Sequence, residues 1–214
     1  MAYSFNGTSQ RLNTGTIATA APLTLAGRFF STSATAAQAI VSITDSTGSG
    51  GFRLQALGNI AGDPIRATAY ANNGTPTGAS DTATGYATNT WNHACAVFTS
   101  TTSRVSYING IAGTINTTSV TPINLIRVDI GSILNAGAFA NFFVGNLAEI
   151  GIWTVALTVE EILSLSKGVS CDKIRPQNLV FYAPLIRNLT DIARGSVITN
   201  NGTATVVDQP RVYF

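Results

Sequence analysis

Charge is scarce in this sequence. Asp, Glu, Lys and Arg together make up 10% of its 214 residues, against roughly a quarter in an ordinary soluble chain. The net charge is +2 and no run of Lys and Arg concentrates it, so there is no electrostatic basis for gripping nucleic acid. Histidine occurs once, at His93, which excludes a His-rich metal centre or a relay of paired imidazoles. No G-x-S-x-G motif accompanies it, so His93 is expected as a hydrogen-bonded strand residue rather than a general base. Cysteine occurs twice. Cys95 falls in a predicted inner strand and Cys171 beyond a predicted helix, which favours two buried free thiols over a bridge. No apolar run approaches the roughly 18 residues of a membrane span. The opening MAYSFNGTSQ has no basic region followed by an apolar one, so it does not read as a secretory signal.

What fills the space left by charge is Thr, Ala, Gly, Asn and Ser, with hydrophobic residues at 45%. That composition suits β structure with many turns and one large core. Short alternating runs recur: Tyr3–Gly7, Leu23–Phe30, Ala39–Thr44, Gly51–Leu57, Ile65–Ala71, Trp91–Phe98, Arg104–Gly110 and Asn124–Gly131. Asp45–Gly50 is a turn cluster joining two of them into a hairpin, and Asn109-Gly110 is the strongest short hairpin signal in the chain. The stretches 72–89 and 132–140 read as loops, the first long enough to be functional.

The segment from Asn141 to Gly168 carries the densest local signals. Leu147–Trp153 alternates, with Ala148, Ile150 and Ile152 on one face and Leu147, Glu149, Gly151 and Trp153 on the other. Thr158 and Glu161 have the spacing of a capping box, Leu157 and Ile162 that of a hydrophobic staple, and Lys167-Gly168 supply a helix stop. One short helix after this strand is predicted. Leu179–Leu185 reads as a further strand, at an edge because Pro184 has no N–H to donate.

The strand G-N-L-A-E-I-G-I-W followed by A-L-T and E-E-I is similar to the closing segment of laminin-G-like domains of the concanavalin A-like jelly-roll superfamily. W-x-H at Trp91, the Asn109-Gly110 turn and a strand ending in I-G at Gly131 keep that family's order. The resemblance implies an all-β fold: an antiparallel two-sheet β-sandwich over residues 1–168, with residues 169–214 as a C-terminal extension ending in an arm. The tail, with F-Y-A-P-L, N-G-T and Q-P, looks like the segment C-terminal to this domain in a number of tailed-bacteriophage virion proteins.

Because the superfamily includes glucanases, hydrolysis has to be weighed. Glycosidases need two carboxyls, about 5 to 5.5 Å apart for retention or roughly 6.5 to 9.5 Å for inversion. Here Glu149 has no second acid along its strand, and Glu160 and Glu161 belong to the helix start. The expectation is therefore no enzyme and no catalytic residue. The family's usual ion is calcium, for which Asp45, Asp63, Asp81 and Asp129 are chemically capable. They are scattered, and turn formation explains them as well. No cofactor is expected, a structural calcium ion being the one group left open. Among Tyr70, Tyr86, Trp91 and Tyr107, which could line a sugar-binding face, Trp91 and Tyr107 are expected in the core and Tyr86 is the candidate exposed glycan contact. Trp153, Thr158 and Glu161 are expected to be structural.

The resemblance implies two candidate functions. One is a non-enzymatic capsid decoration protein on a virion surface, made in the host cytoplasm. It would be a homotrimer docked on the major capsid protein through Val212, Tyr213 and Phe214. The same arm could instead pair back on its own sheet beside Tyr3–Phe5. The other is a carbohydrate-binding module that holds host surface glycan through the loops 72–89 and 132–140. Neither needs nucleic acid or a membrane.

Overall fold

The computed structural model describes residues 1–71 and 73–208. In chain order its strands are β1 (Ala2–Asn6), β2 (Arg11–Thr14), β3 (Leu23–Ser31), β4 (Ala37–Thr44), β5 (Gly51–Leu57) and β6 (Ile65–Tyr70). Then come β7 (Thr77–Asp81), β8 (Trp91–Ser100), β9 (Ser103–Ile108), β10 (Ile111–Ala112), β11 (Arg127–Ile130), β12 (Ile133–Asn135) and β13 (Ala138–Ala140). The chain finishes with β14 (Val144–Trp153), the helix α1 (Val159–Ser166), β15 (Leu179–Ala183), β16 (Thr199–Asn201) and β17 (Thr205–Val207).

Among the described residues the strands form two large antiparallel sheets and one small hairpin. The first sheet runs β10-β9-β8-β3-β14-β1-β17, with β15 also paired to β14, and the second runs β16-β2-β11-β4-β5-β6-β7. Side chains alternating inward from both, including Leu25, Phe29, Ile40, Ile43, Phe52, Leu54, Ile150 and Ile152, form the core between them. Burial of this apolar surface is what holds two such sheets face to face. Asn109 and Gly110 both adopt positive φ, 50° and 85°, as a two-residue type I′ turn requires.

A second apolar cluster lies on the outer side of the first sheet, where Cys95, Val97, Tyr107 and Trp153 meet Ile162, Leu165, Cys171 and Tyr182. The helix is seated there by its own sequence. Thr158 Oγ1 accepts from the Glu161 N–H, and the Glu161 carboxylate accepts from the Thr158 N–H at 2.8 Å. Leu157 and Ile162 are buried beneath it, Lys167 is the C-cap, and Gly168 comes next at φ 102°. Trp153 is fully buried and its indole N–H donates to the Ile174 carbonyl at 2.7 Å.

Strand β14 departs from simple alternation. Glu149 sits at φ 54° in a bulge against β3, where the register shifts between Ala148 and Gly151. The extra residue resets the alternation, so Leu147 points into the core together with Ile150 and Ile152 rather than away from them. The segment 73–89 is also more regular than its composition suggests. It contains β7, which pairs with β6, while 132–140 contains the hairpin β12–β13.

The described residues beyond Gly168 belong to the same sandwich. Strand β15 pairs with β14, β16 with β2, and β17 with β1, so the extension contributes to both sheets. As Pro184 demands, β15 is an edge strand, and its open side is closed by Asp191, whose Oδ1 accepts from the Tyr182 N–H at 2.9 Å. Val207, Val206 and Thr205 pair with Ala2, Tyr3 and Ser4. Val212, Tyr213 and Phe214 lie outside the described residues.

Candidate functional site

The site is built on the outer face of the second sheet. In β5 and β6 the residues Phe52, Leu54, Ala67 and Ala69 turn into the core, which sends Arg53, Thr68 and Tyr70 outward. Antiparallel pairing sets Arg53 opposite Thr68 and Gly51 opposite Tyr70. Because Gly51 has no side chain, a Cβ there would stand 3.1 Å from the Tyr70 hydroxyl, and the phenol lies across the gap. The Arg53 guanidinium then stacks on the Tyr70 ring, 3.7 Å from its centre, a cation–π contact. Its Nη2 donates to Asn135 Oδ1 at 3.1 Å.

Three connecting segments wall this floor into a cleft of about 210 Å³. The Asp45–Gly50 turn is held by Asp45, whose Oδ1 accepts from the Thr47 and Ser49 N–H groups at 2.8 and 3.0 Å. Asn73, in the β6–β7 connection, donates its N–H to Ser49 O at 2.9 Å. The β12–β13 hairpin closes the third side, with Gly137 N–H donating to Thr47 O at 2.6 Å. Gly48 makes that approach feasible. It has φ 74°, and a Cβ on it would lie 2.3 Å from the Leu134 carbonyl oxygen.

The polar content of the cleft is unusual. Tyr70 Oη, Thr68 Oγ1 and Arg53 Nε are buried and have no protein hydrogen-bond partner. A buried polar group costs on the order of 1–3 kcal/mol when unpaired, so the cleft floor is held at some cost to the stability of the fold. Burial pushes the Tyr70 hydroxyl pKa up, which keeps it a neutral donor. On the same face Arg66 is locked to Asp81 by two bonds of 2.6 Å, and Arg127 to Asp129 by two of 2.7 Å. Arg53 has no carboxylate partner among the described residues.

The two loops read as glycan-binding thus meet at one cleft, through Asn73 and Asn135. The aromatic residue there is Tyr70. Tyr86 is not exposed: it is 5% accessible, edge-on to Phe29 at 5.5 Å, and its hydroxyl donates to Ser33 O at 2.7 Å. It packs in the core because β7 draws the chain back over the sandwich, so it is corrected from glycan contact to core residue. Trp91 is only half-buried, tilted against Phe30 at 5.9 Å, while Tyr107 packs under the helix. No motif marks Arg53, Thr68 or Gly48 in the sequence. The available signal is the outward phase of GFRLQAL and IRATAY.

Three of the four candidate acids are taken up internally. Asp81 and Asp129 serve arginines and Asp45 serves its own turn. Among the described residues no three His, Cys, Asp or Glu side chains converge as a metal set. Glu149 is 4% exposed on the opposite face of the molecule, under the C-terminal segment, and accepts from the Tyr182 hydroxyl at 2.6 Å. Burial raises its pKa to about 7. Across β3 and β8, Arg28 faces His93. His93 Nδ1 has no partner, against the expectation of a hydrogen-bonded histidine, and burial together with the Arg28 charge lowers its pKa to about 3. Both cysteines are free and buried, with thiol pKa values raised by burial, so neither is a nucleophile at neutral pH.

Residues 6–163 match the family described as the concanavalin A-like lectin/glucanases superfamily, Laminin_G_3. No curated protein sequence matches the chain. Among solved structures, a putative carbohydrate-binding protein from Bacteroides ovatus is similar with a TM-score of 0.72 and 16% identity, over 99% of this chain and 61% of that one. The heptameric SAP-like pentraxin of Limulus polyphemus gives 0.66 and 18% identity over 93% of both chains. The CBM40 of Ruminococcus gnavus IT-sialidase, bound to α2,3-sialyllactose, gives 0.61 and 14% identity over 77% of this chain and 96% of that one.

Proposed function

The chain belongs to the concanavalin A-like lectin/glucanase superfamily, in its Laminin_G_3 family, and we propose that it is a non-catalytic carbohydrate-binding module whose site is the cleft over Arg53, Thr68 and Tyr70. The observation that carries this reading is the walled cleft itself, with the Arg53 guanidinium at its floor and the amide side chains of Asn73 and Asn135 around it. A pre-formed cleft with a few convergent donors and acceptors is the general form of a small-ligand site. That several structural neighbours are carbohydrate-binding proteins by name supports the same reading. The seclusion of Glu149 beneath Tyr182, away from the cleft, supports a binding rather than a hydrolytic role.

The test is a glycan array and then calorimetric titration of the best oligosaccharide. Saturable binding is expected, weakened at least tenfold by Asn135→Ala and by Asn73→Gly, with the thermal midpoint little changed. Binding that ignores both variants would place the site elsewhere, and no binding across the array would overturn the reading.

The alternative role, a capsid decoration protein forming homotrimers on a virion, is supported by the sequence resemblance of residues 169–214 and of the domain before them, and by the low-charge, Thr-rich composition. It requires partner contacts by the terminal arm, whose neighbouring strand β17 is already paired to β1. Recovery of the chain from purified particles at a copy number near that of the major capsid protein would favour it, and its absence from them would remove it. The two roles are compatible if the cleft faces outward from the particle.

A further inference from the structure

We infer that the cleft selects a saccharide bearing a carboxylate, as uronic and sialic acids do, with the acid group on Arg53. This rests on the carbohydrate reading and specifies its ligand class. The first ground is charge. Among the described residues Arg53 is the one charged side chain lining the cleft, and it lacks the carboxylate partner that Arg66 and Arg127 on the same face each possess.

The second ground is the geometry of Tyr70, the one aromatic ring among the described residues of the cleft. Neutral sugars are commonly held by laying an apolar ring face on an aromatic side chain. In this cleft the Tyr70 ring face is covered by the guanidinium itself, at 3.7 Å, so stacking against that face is closed to a ligand. A guanidinium held flat on a ring, with Nη2 tied to Asn135 Oδ1, directs its N–H groups in a fixed plane. That planar array of donors matches the two oxygens of a carboxylate.

The third ground is the company of neutral hydroxyls. Thr68 and Tyr70, 7% and 3% exposed, carry unpartnered oxygens beside that charge. Being neutral, they place no negative charge beside Arg53 to compete with an anion. The adjoining cleft of about 260 Å³ contains Asp45, but its carboxylate is occupied by the turn it caps. The arrangement accepts an anion without opposing it.

The experiment compares acidic sugars with their neutral counterparts by calorimetry on the full chain: α2,3-sialyllactose against lactose, and trigalacturonate against its carboxyl-reduced form. We expect each acidic sugar to bind at least tenfold more tightly than its counterpart, with affinity falling as salt rises from about 10 to about 150 mM. Arg53→Gln should abolish that preference and Arg53→Lys should retain part of it, both with near-normal thermal midpoints. Neutral sugars binding as tightly as acidic ones, or Arg53→Gln leaving the preference intact, would overturn the acidic assignment while leaving carbohydrate binding standing. Preference for a sulfated galactoside over all carboxylated probes would also overturn it. Failure of every sugar on the array would remove both.

Discussion

The Tyr182 hydroxyl donates to Glu149 Oε2 at 2.6 Å, joining the C-terminal strand β15 to the bulge in β14. Glu149 Oε1 has no partner, and Arg28 and His93 lie on the same outer face of the first sheet. A carboxylate here is stabilised by one hydrogen bond and the nearby Arg28 charge, yet burial outweighs both and raises its pKa to about 7.

The stability of the fold should therefore carry two opposing pH dependences. Between pH 4.5 and about 7 the folded protein keeps a proton on Glu149 that the unfolded chain releases, so this group makes stability fall as pH rises through that window. His93 does the reverse: with a folded pKa of about 3 against an ordinary 6.5, it makes stability fall as pH drops from 6.5 to 3. From 4.5 to 6.5 the two nearly cancel. Glu149→Gln should remove one of them, leaving urea stability that declines steadily below pH 6.5, and it should add about 1–3 kcal/mol at about pH 8. An unchanged pH profile in that variant would show that Glu149 is not the titrating group.

Truncation after Gly168 should not yield a folded domain. It removes β15, β16 and β17 from the two sheets and uncovers Trp153 and Cys95 on the outer cluster. The expected product is insoluble or lacks a cooperative thermal transition; a sharp transition would show that residues 1–168 fold by themselves.

Tyr86 should behave as a core residue. Tyr86→Ala is expected to cost about 3–5 kcal/mol through the cavity it leaves against Phe29, while Tyr86→Phe should cost about 1 kcal/mol for the bond to Ser33 O. Glycan affinity of Tyr86→Phe should equal that of the parent chain.

Gly48→Ala should disturb the cleft without touching its polar floor. The new Cβ would meet the Leu134 carbonyl at 2.3 Å in a left-handed backbone, costing about 1–2 kcal/mol for the conformation alone. Displacement of the β12–β13 hairpin should lower sugar affinity several-fold, read by the same titration that measures Asn135→Ala.

Local rules made much of the architecture readable. The Thr158–Glu161 box, the Asn109-Gly110 turn and the edge position of β15 each depend on residues within a few positions of one another. Strand phases in GFRLQAL and IRATAY arise from alternation, because a pleated chain sends neighbouring side chains to opposite faces. Strand β7 was not readable, since TGASD has no apolar alternation and pairs with β6 through its backbone. Tyr86 was misplaced for that reason.

Sequence by itself determined the β class, the short capped helix and the scarcity of ionisable groups that makes an isolated arginine informative. Only the tertiary structure decided that Glu149 breaks the alternation of β14, and that Gly48, Arg53, Tyr70 and Asn135 meet at one place. The physical reason is that alternation fixes only which way a side chain turns. Which distant side chains become neighbours is set by strand register and by the turns that bring separate segments together.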